Sequence, residues 1–176
     1  QQKMDDHIDK LLNYIRYWQA SGESLKTSAR TKTRLSQIVQ EGRFRGGIVP
    51  YGYRLEKQGR FNKKNHEVNE ILVDPDEAAV VRIIFEKYVY EGFGAQRLSR
   101  WLYNNGYLNR KGTNFANTTI IKMLKNIMYV GILRSGETRS EIFPELQIVP
   151  LDLYERAQEL MEARTMHHNE VPFNSK

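Results

Sequence analysis

The chain has 176 residues, 40% hydrophobic and 27% charged, a balance that supports a packed core and excludes wholesale disorder. Its length suits one ordinary domain plus an extension, or two small domains. No apolar run approaches the roughly 20 residues of a membrane span, no secretory signal opens the chain, and the absence of cysteine excludes disulfides, cysteine-ligated zinc and iron–sulfur clusters. A cytoplasmic location is expected, and the opening Gln1, in place of Met, reads as a cut from something longer.

The net charge of +6 is unevenly spread. Residues 26–64 carry eleven basic side chains against Glu41 and Glu56, and residues 91–139 carry eight against Glu91 and Glu137. The stretches before, between and after are acidic. Two separated basic blocks read either as two contacts along a polyanion or as solvated faces of a basic protein.

In chain order, Asp6 to Gly42 predicts one long helix, roughly 55 Å at 1.5 Å per residue. Leu11, Ile15, Trp18, Gly22, Leu25 and Ala29 recur at alternating spacings of four and three, a coiled-coil seam that needs another helix to cover it. Gly22 marks either close packing or a break. The polar, basic second half, from Lys26, is free to leave that seam and meet phosphates. Gly42 suits the position after a helix end. Residues 43–50 read as a linker whose Arg43 and Arg45, on a glycine-flanked arm, suit a narrow minor groove.

Tyr51–Leu55 and Phe61 onward suggest a hairpin turning at Gln58-Gly59, and Ile71-Leu72-Val73 a strand. Asp74-Pro75-Asp76-Glu77 is a helix start, with Asp74 as cap and Glu77 three residues on. That helix is expected to bury Ala79, Val80, Ile83, Ile84 and Tyr88 and to stop at Gly92. A second helix spans Ala95 to Asn104, with Leu98, Trp101 and Leu102 inward and Gly106 just past its end. A third runs from Thr118 to Lys125, capped by Asn117. Its Ile120, Ile121 and Leu124 form the apolar face, and Thr118, Thr119, Lys122 and Lys125 the polar, positive one. Met128 to Leu133 reads as a strand, Ser135-Gly136 as a turn, and Leu151 to Arg164 as a last helix before a frayed tail with His167 and His168. The fold class is α+β: a long N-terminal helix (1–42), a basic linker (43–50), a compact mixed domain (51–165) and a tail (166–176).

Two consecutive helices, the second short and basic, are a helix-turn-helix cue. In that geometry Lys122 and Lys125 reach phosphates or guanine edges, and Thr118 and Thr119 sit at the helix start near both bases and backbone. The connection of about a dozen residues is longer than usual, and would fold as a hairpin or wing carrying Arg110, Lys111 and Asn114. The alternative is a pair of core helices with solvated lysines. Catalytic patterns are absent: no metal-binding histidine pair, phosphate loop or nucleophile elbow. Asp74, Asp76 and Glu77 are accounted for by helix capping. No active site, metal or cofactor is assigned.

Gly46-Gly47-Ile48-Val49-Pro50-Tyr51-Gly52-Tyr53 resembles the motif that opens the recombinase domain of large serine recombinases, the integrases and transposon recombinases of mobile elements. Ile71 to Asp74, the Val80–Phe85 helix, Gly92 to Leu102, Asn105-Gly106-Tyr107, Gly112, Ile120 to Leu124, Asn126 to Gly131 and Tyr154 to Gln158 follow in order. The resemblance covers residues 46–164, and the preceding residues resemble the helix that joins the family's catalytic domain to its DNA-binding part. It implies that the intact protein exchanges DNA strands through a serine nucleophile in an N-terminal domain outside this chain. A zinc ribbon would likewise lie outside, so this piece should bind double-stranded DNA without cutting it. The expected DNA-facing set adds Tyr51, Arg97 and Arg100 to the residues above. Self-association into dimers or tetramers on DNA would run through Leu11, Ile15, Trp18 and Leu25. The competing readings are a non-catalytic DNA-binding regulator and an oligomerisation module with nonspecific DNA affinity.

Overall fold

The computed structural model describes residues 2–61 and 65–170, and within these the side chains outside 2–9, 11 and 166–170. Helix α1 (Gln2–Gln40) leads into the linker. Strands β1 (Tyr53–Phe61) and β2 (Glu67–Val73) pair antiparallel. Helices α2 (Pro75–Val89), α3 (Ala95–Asn104) and α4 (Asn117–Leu124) follow. A 3-10 turn (Ile127–Val130) precedes a second antiparallel hairpin, β3 (Ile132–Ser135) and β4 (Thr138–Ile142). A short 3-10 turn (Pro144–Leu146) and α5 (Leu151–Glu170) complete the α+β fold.

The 39 residues of α1 span about 58 Å. Gly22 neither breaks the helix nor touches a neighbour, since a Cβ there would meet nothing within 4 Å. The end of α1 is fixed to the domain and does not leave it. Val39 is buried, and Thr138 Oγ1 on β4 donates to Ser36 Oγ at 3.0 Å. The N–H groups of Gly42 and Arg43 turn back to the carbonyls of Val39 (3.1 Å) and Ile38 (3.0 Å), a Schellman end made possible by Gly42 at φ 73°.

The core lies among α2, α3, α4 and α5, with the aromatic pair Tyr53 and Tyr129 at its centre. Their rings stack at 5.9 Å, and Phe85 meets Tyr129 edge-on at 6.0 Å. The Tyr53 hydroxyl has two acceptors for its one hydrogen, the carbonyls of Met128 (2.6 Å) and Leu146 (2.8 Å). Tyr129 donates to the Tyr51 carbonyl at 2.8 Å. Burial holds both phenols far above their ordinary pKa, with Tyr129 adding to the rise at Tyr53 and Glu77 to that at Tyr129.

Several local expectations are corrected. β1 runs straight through Gln58-Gly59 to Phe61, which pairs with Glu67 of β2, and residues 62–64 of the expected second strand lie outside those described. Gly59 sits in a bulge, its N–H donating to Glu67 Oε1 at 3.1 Å. Residues 128–133 are no single strand: Asn126 Oδ1 accepts from Met128 N at 3.2 Å and starts a 3-10 turn, which ends at Gly131 in the left-handed region before β3 begins. A buried apolar run does not by itself distinguish strand from turn. The cap of α4 is Ala116, one residue before Asn117, because the buried Phe115 is held by Ser99 through its carbonyl. That helix buries Met123 where Ile121 was expected. α2 buries Ala78, Val81 and Phe85 among α3, α4 and α5, which pack against it, and leaves Ala79 exposed. α5 continues past Arg164 to Glu170, so His167 and His168 lie on helical backbone, their side chains outside those described.

Candidate nucleic-acid interface

Helix α4 is anchored by Ile120, Met123 and Leu124, which leaves Thr118, Thr119, Lys122 and Lys125 exposed along one side. α3 packs against it and exposes Arg97 and Arg100, Arg97 lying 3.9 Å over the Phe93 ring. The connection between the two helices is a tight loop, where a hairpin or wing was expected. Asn109 organises it: its Oδ1 accepts from the N–H of Lys111 (2.8 Å) and Thr113 (3.2 Å), and its Nδ2 donates to Thr113 Oγ1 (2.8 Å) and the Asn114 carbonyl (3.0 Å). Lys111 and Asn114 are exposed at its tip.

Arg110, on the same loop, turns the other way. Its guanidinium donates to both carboxylate oxygens of Glu77 and to the carbonyls of Val49 (3.1 Å), Pro50 (3.2 Å) and Tyr53. Glu77 also accepts from the Gly52 N–H at 2.8 Å. Glu77 therefore does more than favour a helix start: it is the centre of a clamp that ties the base of the linker to α2 and to the Asn109 loop. Tyr51 is part of the same frame. It is half-buried, edge-on to Phe115 at 5.1 Å, and donates to the Leu108 carbonyl at 3.3 Å. Burial pushes its phenol up, Glu77 adds to this, and Arg110 opposes it.

Separately from this clamp, the linker and the end of α4 enclose a groove of about 450 Å³ lined by Arg43, Arg45, Lys125 and Arg134, with no carboxylate in its wall. Two segments some eighty residues apart in sequence, one from each basic block, are thus brought together. Arg43 is also paired with Glu41 at 2.8 Å on the exposed surface, and Arg134 Nε donates to the Gly136 carbonyl at 2.8 Å. Tyr154 donates to the Lys125 carbonyl at 3.1 Å. Burial raises its phenol pKa, and the nearby Arg139 and Arg134 oppose the rise, so positive charge continues along the β3–β4 hairpin. Arg134 and Arg139 were counted in the second basic block but not singled out. The alternation of a hairpin that carries arginines beside a Ser-Gly turn was the signal available.

Ile15, Trp18 and Leu25 are exposed on α1, Trp18 at 72%, and lie far from the groove along the helix. The side chain of Leu11 is outside those described. Among the described residues no group of three or more His, Asp or Glu side chains could hold a metal ion. No helix among them is long and apolar enough to cross a membrane.

The family model Recombinase matches residues 75–164. Among solved structures the chain is similar to a crystal structure of a large serine recombinase (LSR)–DNA complex, with a TM-score of 0.58 and 15% identity over 77% of this chain and 38% of that one. It is similar also to a structure concerned with the sequence requirements of the Listeria innocua prophage attP site, with a TM-score of 0.56 and 15% identity over 80% of this chain and 55% of that one. At such identity the likeness is one of fold, and the chain spans only part of the length of either neighbour. No curated protein matches it in sequence.

Proposed function

The chain belongs to the recombinase family, and from that premise we propose that it is the DNA-binding part of a large serine site-specific recombinase, reading part of an attachment-site half-site. The observation that carries this reading is the groove in which Arg43, Arg45, Lys125 and Arg134 converge in a wall without a carboxylate, Arg43 keeping its ion pair with Glu41. Cations gathered this way match a phosphate backbone, which dominates affinity for DNA. Next to the groove, α4 offers Thr118, Thr119 and Lys122 on an exposed face, the arrangement of a recognition helix laid in the major groove. Phosphate contacts from the groove would set the register, and α4 would read base edges. Arg97, Arg100, Lys111 and Asn114 are further candidates at the rim.

In this reading residues 51–165 form the binding unit and α1 leads from a catalytic domain, with strand cleavage by a serine nucleophile taking place there. The last turns of α1 pack on the β3–β4 hairpin, so a cut at residue 42 would expose part of the core. A second reading, self-association through α1, is favoured by its exposed Leu12, Ile15, Trp18 and Leu25, and sedimentation over a dilution series tests it.

The test of the main reading is selection from a randomised duplex pool at near-physiological salt, with sequencing of what is retained. Enrichment of one asymmetric motif is expected. Retention without enrichment would reduce the role to nonspecific phosphate binding, and no retention would remove the DNA reading altogether.

A further inference from the structure

Ile48 is the most exposed large apolar side chain described, at 96%. A lone exposed isoleucine is ordinary, but this one has an unusual setting. Before it, Gly46 and Gly47 hold φ of 93° and 98°, and a Cβ on either would meet nothing within 4 Å. Glycine is needed there for the backbone path and not for room. After it the chain is braced, with the Val49 and Pro50 carbonyls held by Arg110 and the Gly52 N–H by Glu77. Ile48 therefore stands next to a fixed anchor, and it forms part of the wall of the basic groove beside Arg43, Arg45 and Lys125.

An apolar tip ringed by cations is poorly suited to an apolar protein surface, because docking would strip water from the arginines without pairing them. It suits a partner with anionic edges and an apolar interior. Duplex DNA has both, in its phosphates and its stacked bases.

We propose that Ile48 is a wedge that enters the minor groove, partly unstacks one base step and bends the duplex at the linker. The inference rests on the DNA-binding reading above. Pyrimidine–purine steps unstack at the lowest cost, so the wedge selects such a step at one position of the site without a hydrogen bond to it. The duplex then bends toward its major groove, and Arg43 and Arg45, which share the groove wall with Ile48, hold the flanking phosphates.

The experiment uses the full 176-residue chain and a duplex carrying the selected motif, or an A·T-rich duplex with a central TA step if no motif is enriched. End-to-end energy transfer reports the bend, and 2-aminopurine placed at successive steps reports unstacking. With the unaltered protein, one step brightens and the duplex ends approach each other. Ile48→Ala should lose both signals and bind about tenfold more weakly, with an unchanged salt slope because no phosphate contact is lost. Ile48→Leu should restore them. Wild-type bending and fluorescence in Ile48→Ala would overturn the wedge while leaving the DNA reading intact. So would intact DNA behaviour with weakened self-association in sedimentation, which would place Ile48 against a second copy. A wild-type chain that binds neither duplex would overturn both.

Discussion

The clamp and the groove at the linker give the same kind of side chain different surroundings. In the clamp Arg110 is saturated by Glu77 and three carbonyls. In the groove, Arg45, Lys125 and Arg134 line a wall without a carboxylate. All come from the two basic blocks, and charge counting treats them alike. What separates them is the supply of acceptors. An arginine surrounded by carbonyls and a carboxylate contributes to the fold, while cations gathered in a wall without a carboxylate carry the positive potential that the proposed DNA contact would use. Arg110 and Tyr51, both expected among the DNA-facing residues, sit in the clamp, and their proposed role is to hold the linker in position.

The largest effect that would break this contrast lies in the clamp's backbone. Gly52 has φ 99°, and a Cβ there would stand 2.9 Å from Ile148 Cδ1 and 3.2 Å from Val81 Cγ2. Gly52→Ala should cost about 3 kcal/mol, read as a fall in the urea midpoint. A similar loss should come from alkali. The buried Tyr53 and Tyr129 phenols have folded pKa values raised above the ordinary 10.0, so the native state retains protons that the unfolded state releases. Their stabilisation is complete below about pH 10 and falls above it, by up to about 1.4 kcal/mol per tyrosine per pH unit. Urea melts across that range, with Tyr129→Phe showing a shallower loss, check the sign.

Arg110→Ala should cost about 2 kcal/mol, since it leaves Glu77 and the linker carbonyls short of donors at a partly exposed site. The variant's DNA salt slope should match the wild type's, because this arginine neutralises no phosphate. A slope lowered by one would return Arg110 to the interface. The smallest expected effect is on binding alone: Lys122→Ala with Lys125→Ala should weaken DNA affinity several-fold and leave stability within about 0.5 kcal/mol.

Much of the fold was legible where local chemistry decides it. The Asp74 cap, α3 with Leu98 and Leu102 inward, the turn at Gly136 and the helix end at Gly42 follow from residue type and spacing. The errors fall where tertiary contacts override a local signal. Gln58-Gly59 has the composition of a turn, yet cross-strand pairing and Glu67 make it a bulge. Met128–Leu133 has the composition of a strand, but Asn126 and the tight approach of Phe143 to Gly131 bend it. For the candidate interface, the sequence located the positive charge but not its arrangement. Arg110 meets Glu77 from 33 residues away, and Arg45, Lys125 and Arg134 come to line one groove from distant parts of the chain, arrangements that no local pattern encodes. Ile48 passed unnoticed as a site because its setting of braced backbone and converging arginines exists only after folding.

The groove beside the linker is the surface proposed to take up DNA. The most direct measurement is DNA affinity across a range of salt for the wild type and for Arg43→Ala with Arg45→Ala. If both arginines neutralise phosphates, the logarithmic slope should flatten by about two units while the melting curve stays unchanged. An unaltered slope in a folded double variant would place the linker and its groove away from DNA and contradict the account.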